Sequence, residues 1–371
     1  MECLSALAQP GLHLAVYGER GVGKTSLANV LPLLVREARV PHLSAGRVDC
    51  NTKDNFATLW QHAFRELAAE WDEDRDGDIS PENVRFRLAR DQETRLLVFD
   101  ELDRLEDDDA LSLLADTLKT LADHDVPTTL MLVGVAKSID DLVGEHGSVV
   151  RSLRQIQMPR MQMGELVQIL EHGYKGIGMS ADREAVLTIA KMAQGLPHFV
   201  HLLGLNAGEI AVANDEVCVT MAHVEKAMDR TTSSHTILSE YLTATQSAQT
   251  GHLFEEVFLA CAFAPKDALG YFRAADVRGP LGKILGRRVE IPAFARHLNE
   301  LSSDRRGYAL QKEGVPRQFR YRFANPLLEP FARIMGVTHH ELPDALLAEM
   351  RPDPEEINLF PDWPSDLSLP P

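Results

Sequence analysis

Two rhythms of apolar and polar residues alternate along the first 160 positions. Leu12-His13-Leu14-Ala15-Val16-Tyr17 is a short, almost unbroken apolar run, as expected of a strand buried on both faces. Over residues 26–36 the period changes, with Leu27, Val30, Leu31 and Leu34 at i, i+3, i+4 and i+7, which predicts a helix. The alternation then repeats. Residues 42–50 read as a second strand and 55–71 as an amphipathic helix carrying Leu59, Phe64 and Leu67. Leu96-Leu97-Val98-Phe99 and Thr129-Leu130-Met131-Leu132-Val133 are two more buried strands. Residues 155–158 form a short last strand, preceded by Arg151 and Arg154 on a helix. Strands alternating with helices predict an α/β fold around a parallel sheet.

Past residue 163 the pattern turns helical. Helices are expected from Gly164, over 182–193, from Gly195-Leu196-Pro197, and over 233–265 with Leu253, Val257, Leu259 and Phe263. Residues 268–285 read as helical in pieces, and Phe294, Leu298 and Leu301 mark a further helix over 291–301. Residues 307–312 and 318–323 then alternate like two hairpin strands around a turn at 313–317. Helix, helix and hairpin in that order predict a winged helix-turn-helix. Residues 337–371 are acidic and proline-rich, and the composition predicts partial disorder or an extended strap. The expected domains are a core at 1–160, a helical lid at 161–232, a winged helix at 233–336 and a tail at 337–371.

The chemistry concentrates at the joint between the first strand and its helix. Gly18-Glu19-Arg20-Gly21-Val22-Gly23-Lys24-Thr25 fits G-x-x-x-x-G-K-[ST], the phosphate-binding loop, and Ser26 continues it. Its glycines let backbone N–H groups turn toward phosphate oxygens, and the helix N-terminus adds partial positive charge. Lys24 is placed to reach the β- and γ-phosphates, and the Thr25 hydroxyl to hold Mg²⁺. The second motif, Leu96-Leu97-Val98-Phe99-Asp100-Glu101, sets two carboxylates at the C-terminal end of a buried strand, where open α/β sheets place ligand chemistry. Asp100 is the second expected Mg²⁺ partner, and Glu101 the expected general base for an attacking water. Lys137 or Ser138, after the strand at 129–133, is placed to sense a γ-phosphate.

Composition narrows the setting. The 371 residues suffice for two or three domains. No stretch of 18 apolar residues suggests a membrane span, and no secretion signal is evident, so the expected location is the cytoplasm. Cys3, Cys50, Cys218 and Cys261 lack metal-ligand spacing and fit a reducing compartment. The net charge of −17 argues against nucleic-acid binding by the whole surface, yet residues 270–335 carry 13 Lys/Arg against 6 Asp/Glu. Arg287, Arg288, Arg296, Arg305, Arg306, Lys312, Arg317 and Arg320 are therefore expected to meet DNA phosphates, unless the module packs internally instead. Residues 72–83 imitate an EF-hand loop with Asn83 in place of the closing glutamate; the competing reading is an acidic loop ending in a helix start at Ser80-Pro81.

Taken in order, GERGVGKTSL, LLVFDELD, TLMLVGVAKS and the arginine segment resemble the AAA+ and STAND P-loop ATPases, with the Orc1/Cdc6-like branch most similar, over about residues 12–335. The resemblance implies ATP and Mg²⁺ as ligands, a five-stranded parallel sheet, a nucleotide-dependent homo-oligomer, and an arginine acting in trans. Arg151 and Arg154 both match that arginine's position. Gly195-Leu196-Pro197 matches a STAND hallmark, and His198 stands where many relatives carry a sensing arginine. Relatives read the base with residues well before the loop; only 17 precede it here, so either the start lies upstream or adenine is held differently. Two uses are implied: DNA loading or remodelling, or signalling and defence through a protein partner.

Overall fold

The computed structural model describes residues 2–353 apart from 8, 10, 38–42, 70, 73–75, 91–92, 136–149, 234, 248–251, 268–269, 316–317 and 340–341. The chain divides into two units: Met1–Glu19 with Gly23–Pro159, and Arg20–Val22 with Arg160–Pro371.

The first unit is built on a five-stranded, wholly parallel sheet. Its strands are β1 His13–Gly18, β2 Ser44–Asp49, β3 Arg95–Asp100, β4 Thr128–Gly134 and β5 Leu153–Met158. Their order is β2-β3-β4-β1-β5. The register sets Leu14 beside Met131 and Arg154, and Asp49 beside Asp100. Because successive side chains point to opposite faces, each apolar strand feeds two cores. Leu14, Val16, Leu96, Val98, Met131 and Val133 pack with Ala28, Leu31 and Val35 of helix α1, Lys24–Glu37. Ala15, Tyr17, Leu97, Phe99, Leu130 and Leu132 meet Trp60, Phe64, Leu114 and Leu118 on the other face. Each large side chain so buried contributes about 1.5–3 kcal/mol. Trp60 anchors the second core with edge contacts to Phe56 and Phe99.

Two expectations for this unit need correction or completion. Arg154 lies on β5 and not on a helix: the strand starts at Leu153, directly after the helical turn Val150–Ser152. The backbone pairing with β1 takes precedence over the short helical pattern. At 72–83 the helix-start reading holds, since the Ser80 side chain accepts from Asn83 N–H and Pro81 opens the helix Pro81–Ala89. Asp76 is buried and paired with Arg90, and no cluster of three or more His, Cys, Asp or Glu side chains placed to hold a metal ion occurs among the described residues.

The second unit is mainly helical. Met163–Gly176, Arg183–Met192, Pro197–Ala213 and Met221–Thr232 come first, then His235–Thr245 and Phe254–Phe263. A three-stranded antiparallel sheet follows, with strands Phe272–Arg273, Leu310–Glu313 and Arg320–Phe323, the last lying in the middle. Helices Ala274–Ile284 and Ala295–Leu301 lie between the first and second strands in sequence. Aromatic rings knit this unit: Phe258 meets Tyr241 and Phe323, and Phe331 meets Tyr241. Glu329, 2% exposed, pairs with Lys266 at 2.9 Å and Arg160 at 2.8 Å. Burial alone would raise this carboxyl, but Lys266, Arg160 and Arg333 together hold it below the usual range. The helix Leu328–Thr338 precedes the expected strap; within the strap Asp344–Met350 is helical, while 354–371 lie outside the described residues. Pro343 is the N-cap of the helix Asp344–Met350, which buries Leu346 and Met350 one turn apart.

Candidate nucleotide site

The loop between β1 and α1 grows directly from local geometry. Gly18 ends β1 at φ +155, and a Cβ there would lie 2.4 Å from the Met158 carbonyl oxygen of β5. Gly23 sits at φ +100, a left-handed conformation glycine adopts without strain, and lets the chain turn into the helix at Lys24. Lys24 is buried, and its Nζ donates to the carbonyls of Gly18 at 3.1 Å and Glu19 at 2.8 Å. The ammonium thus lies against the loop it follows. Thr25 and Ser26 open the helix from exposed positions. Arg20, Gly21 and Val22 group with the second unit, where a Cβ on Gly21 would meet Leu327 at 3.1 Å and His198 at 3.8 Å. Partial desolvation, then His201 and Arg20, hold the His198 imidazole below its usual range, and its ring meets Phe199 edge-on.

Asp100 closes β3, one strand away from β1 across β4. Strands about 4.8 Å apart put its carboxylate on the order of 10 Å from the β1 axis, wide enough for a terminal phosphate and a hydrated cation. Asp100 is 2% exposed. Its Oδ1 accepts from the Glu101 N–H at 2.8 Å, while its buried Oδ2 accepts no hydrogen bond. A hard carboxylate oxygen with an ion-pair contact but no hydrogen bond at the C-terminal end of β3, with the Thr25 hydroxyl exposed at the helix start, is a donor set that suits Mg²⁺. Glu101 follows at φ 55, ψ 37, a left-handed conformation that costs a non-glycine residue of order 1 kcal/mol. It is half exposed and accepts from Arg104 at 2.6 Å. Asp103 accepts from the N–H of Val135, which follows β4. Ser138 and Lys137 lie outside the described residues. Arg151 and Arg154 are both exposed.

Two site residues escape the motifs. Arg47 on β2 places Nη2 3.1 Å from Asp100 Oδ2 and 2.6 Å from Asp49 Oδ1, and its Nη1 donates to Asn29 of α1 at 2.5 Å. Cys50, buried just after β2, donates its N–H to the Asp100 carbonyl. Burial, then Asp54 and Asp100, push its thiol up to about 12, so it is inert at neutral pH.

In the second unit the expected basic surface is exposed but largely engaged. Arg288 pairs with Glu290, Arg296 with Glu300, and Arg320 with Glu313. Lys312 donates to Asn299 and lies over Phe319. Arg306 donates to the Gln246 carbonyl and stacks on Phe254. Arg287 and Arg305 are exposed, and Arg317 lies outside the described residues. No helix among the described residues is long and apolar enough to cross a membrane.

Residues 8–143 match the family model described as AAA domain. No curated protein matches. Among solved structures, the ORC2 protein of Aeropyrum pernix, in ADPNP–ADP complexes, is 17% identical, with 89% of each chain covered and a TM-score of 0.51. Cdc6p of Pyrobaculum aerophilum is 18% identical, with 92% of this chain and 93% of that chain covered and a TM-score of 0.49. The RuvB branch migration motor of Thermotoga maritima is 16% identical, covering 87% and 90%, with a TM-score of 0.45. Residues 8–143 thus match an AAA domain, and the chain shares the fold of the Aeropyrum pernix ORC2 protein.

Proposed function

We propose that this chain is an ATP-hydrolysing switch whose nucleotide state controls self-association and the grip of a C-terminal winged helix on duplex DNA. The observation that carries the reading is that Lys24, just after β1, and Asp100-Glu101, at the C-terminal end of β3, lie at the same end of one parallel sheet with only β4 between their strands. Lys24 exchanges the Gly18 and Glu19 carbonyls for phosphate oxygens. Thr25 and Asp100 are the residues that would hold Mg²⁺, which when bound neutralises charge building on the phosphates. Glu101 takes a proton from the attacking water once Arg104 releases it. Exposed Arg151 or Arg154 reaches a neighbouring copy's site, so turnover rises with protein concentration. On this reading residues 1–160 are the ATPase core, 161–232 the lid and 233–336 the winged helix.

Support for the winged helix is its order of elements: helix, strand, two helices, then a hairpin whose second strand pairs with the first. The +7 charge of residues 270–335 supports DNA as its ligand. The ion pairs Arg288–Glu290, Arg296–Glu300 and Arg320–Glu313 are exposed, and each costs under about 1 kcal/mol to re-partner with phosphate. The same pairs favour a second reading, in which the module is an internal latch and the output is assembly with a protein. Fluorescence anisotropy with labelled duplex DNA, at two salt concentrations, with ADP and with a non-hydrolysable ATP analogue, separates the two. Nucleotide-dependent, salt-sensitive binding that Arg287→Glu with Arg305→Glu abolishes supports the DNA reading. Absence of binding in every state supports the latch.

A further inference from the structure

Asp100 is a buried carboxylate, and a buried carboxylate needs a counter-charge. Its Oδ1 is taken by the Glu101 N–H, which leaves Oδ2 as the oxygen with spare capacity. The cation facing Oδ2 is Arg47, at 3.1 Å. That guanidinium is no accident of a flexible surface chain. β2 pairs with β3 in a register that sets Arg47 beside Val98 and Asp49 beside Asp100, so the side chain leaves the sheet two residues from the carboxylate it meets. Its three nitrogens are all directed. Nε and Nη2 bind Asp49 Oδ1 at 2.9 and 2.6 Å, and Nη1 binds Asn29 Oδ1. Asn29 lies one turn beyond Thr25 on α1. Arg47 therefore ties the helix that carries one expected Mg²⁺ partner to the strand that carries the other.

We propose that Arg47 is the exchangeable counter-cation of Asp100: it neutralises this carboxylate when no metal is present and yields it when Mg²⁺–nucleotide binds, remaining held by the exposed Asp49. The proposal rests on the assignment of Asp100 to the Mg²⁺ site. Two cations cannot share one buried carboxylate oxygen without mutual repulsion, so Arg47 sets how much Mg²⁺ the site requires. Asp49, 64% exposed, is the resting partner that makes the exchange cheap.

The test measures binding and stability rather than turnover. Wild type, Arg47→Met and Arg47→Lys are titrated with Mg²⁺ in the presence of a fluorescent, non-hydrolysable ATP analogue, and their thermal melting is recorded in EDTA and in Mg²⁺. Removal of the competing charge should lower the Mg²⁺ midpoint for analogue binding by about threefold or more in Arg47→Met. The same variant should melt lower than wild type in EDTA and recover most of that loss in saturating Mg²⁺ with analogue. Arg47→Lys, which keeps the charge, should stay near wild type in both. An unchanged or raised Mg²⁺ midpoint in Arg47→Met overturns the proposal, as does equal melting in EDTA. Wild type that binds no analogue at any Mg²⁺ concentration, or binds it equally in EDTA, overturns instead the assignment of the site itself.

Discussion

Acidification from about pH 7 to about pH 5 should destabilise the first unit through one buried side chain, His13. It opens β1 and is fully buried. Nε2 lies 3.0 Å from the Leu118 carbonyl, and Nδ1 accepts the Leu130 N–H at 3.0 Å. Those two bonds fix the neutral tautomer with its proton on Nε2, because protonation of Nδ1 would set two N–H groups against each other. Burial lowers the imidazole from 6.5 to about 4, against a smaller opposing effect of the Leu118 carbonyl. The unfolded chain therefore takes up a proton near 6.5 that the folded protein refuses until about 4. Stability from this group is complete above 6.5 and is lost progressively as the pH falls through that window. Linkage over the whole window amounts to about 3 kcal/mol, of which about 2 kcal/mol is lost by pH 5. Denaturant unfolding of wild type and His13→Gln at a series of pH values isolates the contribution, since glutamine has a donor and an acceptor but does not titrate. The difference in unfolding free energy between the two proteins should shrink by about 2 kcal/mol between about pH 7 and about pH 5. Parallel curves for the two proteins would refute the reasoning.

Other outcomes follow from the same contacts. Gly18→Ala forces a Cβ to within 2.4 Å of the Met158 carbonyl, so β5 must shift; a loss of about 1–3 kcal/mol in thermal or denaturant stability is expected, together with weaker nucleotide binding. Glu329→Gln removes the buried carboxylate that Lys266 and Arg160 share and should cost about 3–5 kcal/mol, read by chemical denaturation. Arg104→Ala frees Glu101 from its ion pair and should raise the basal rate of phosphate release with little change in stability, since exposed pairs contribute under about 1 kcal/mol.

The elements that position the nucleotide site were the legible ones, because they bury apolar residues in runs that only one period fits. Val16, Val98 and Val133 mark β1, β3 and β4 as strands buried on both faces, and Leu27 and Leu31 announce the helix after the loop. The loop itself is legible because glycine at 18 and 23 is dictated by close approach and by positive φ. Arg47 was not legible. An arginine in a strand carries no motif, and its partners Asn29 and Asp100 come from two other elements that only the sheet register brings near. Arg154 misled because a three-residue helical turn precedes it, whereas its own backbone pairs with β1. Proline content misled at residue 343, where Pro343 precedes a helix rather than breaking one. The strain at Glu101 belongs to backbone geometry that no residue pattern reveals.

In the proposed function Lys24 and Asp100 hold Mg²⁺–ATP and Glu101 activates water against it. The most direct measurement is a paired assay of analogue binding and phosphate release on wild type, Lys24→Ala and Glu101→Gln. Lys24→Ala should lose binding and turnover together, while Glu101→Gln should keep binding and lose turnover by at least about a hundredfold. Full turnover by Glu101→Gln, or undiminished binding by Lys24→Ala, would contradict it.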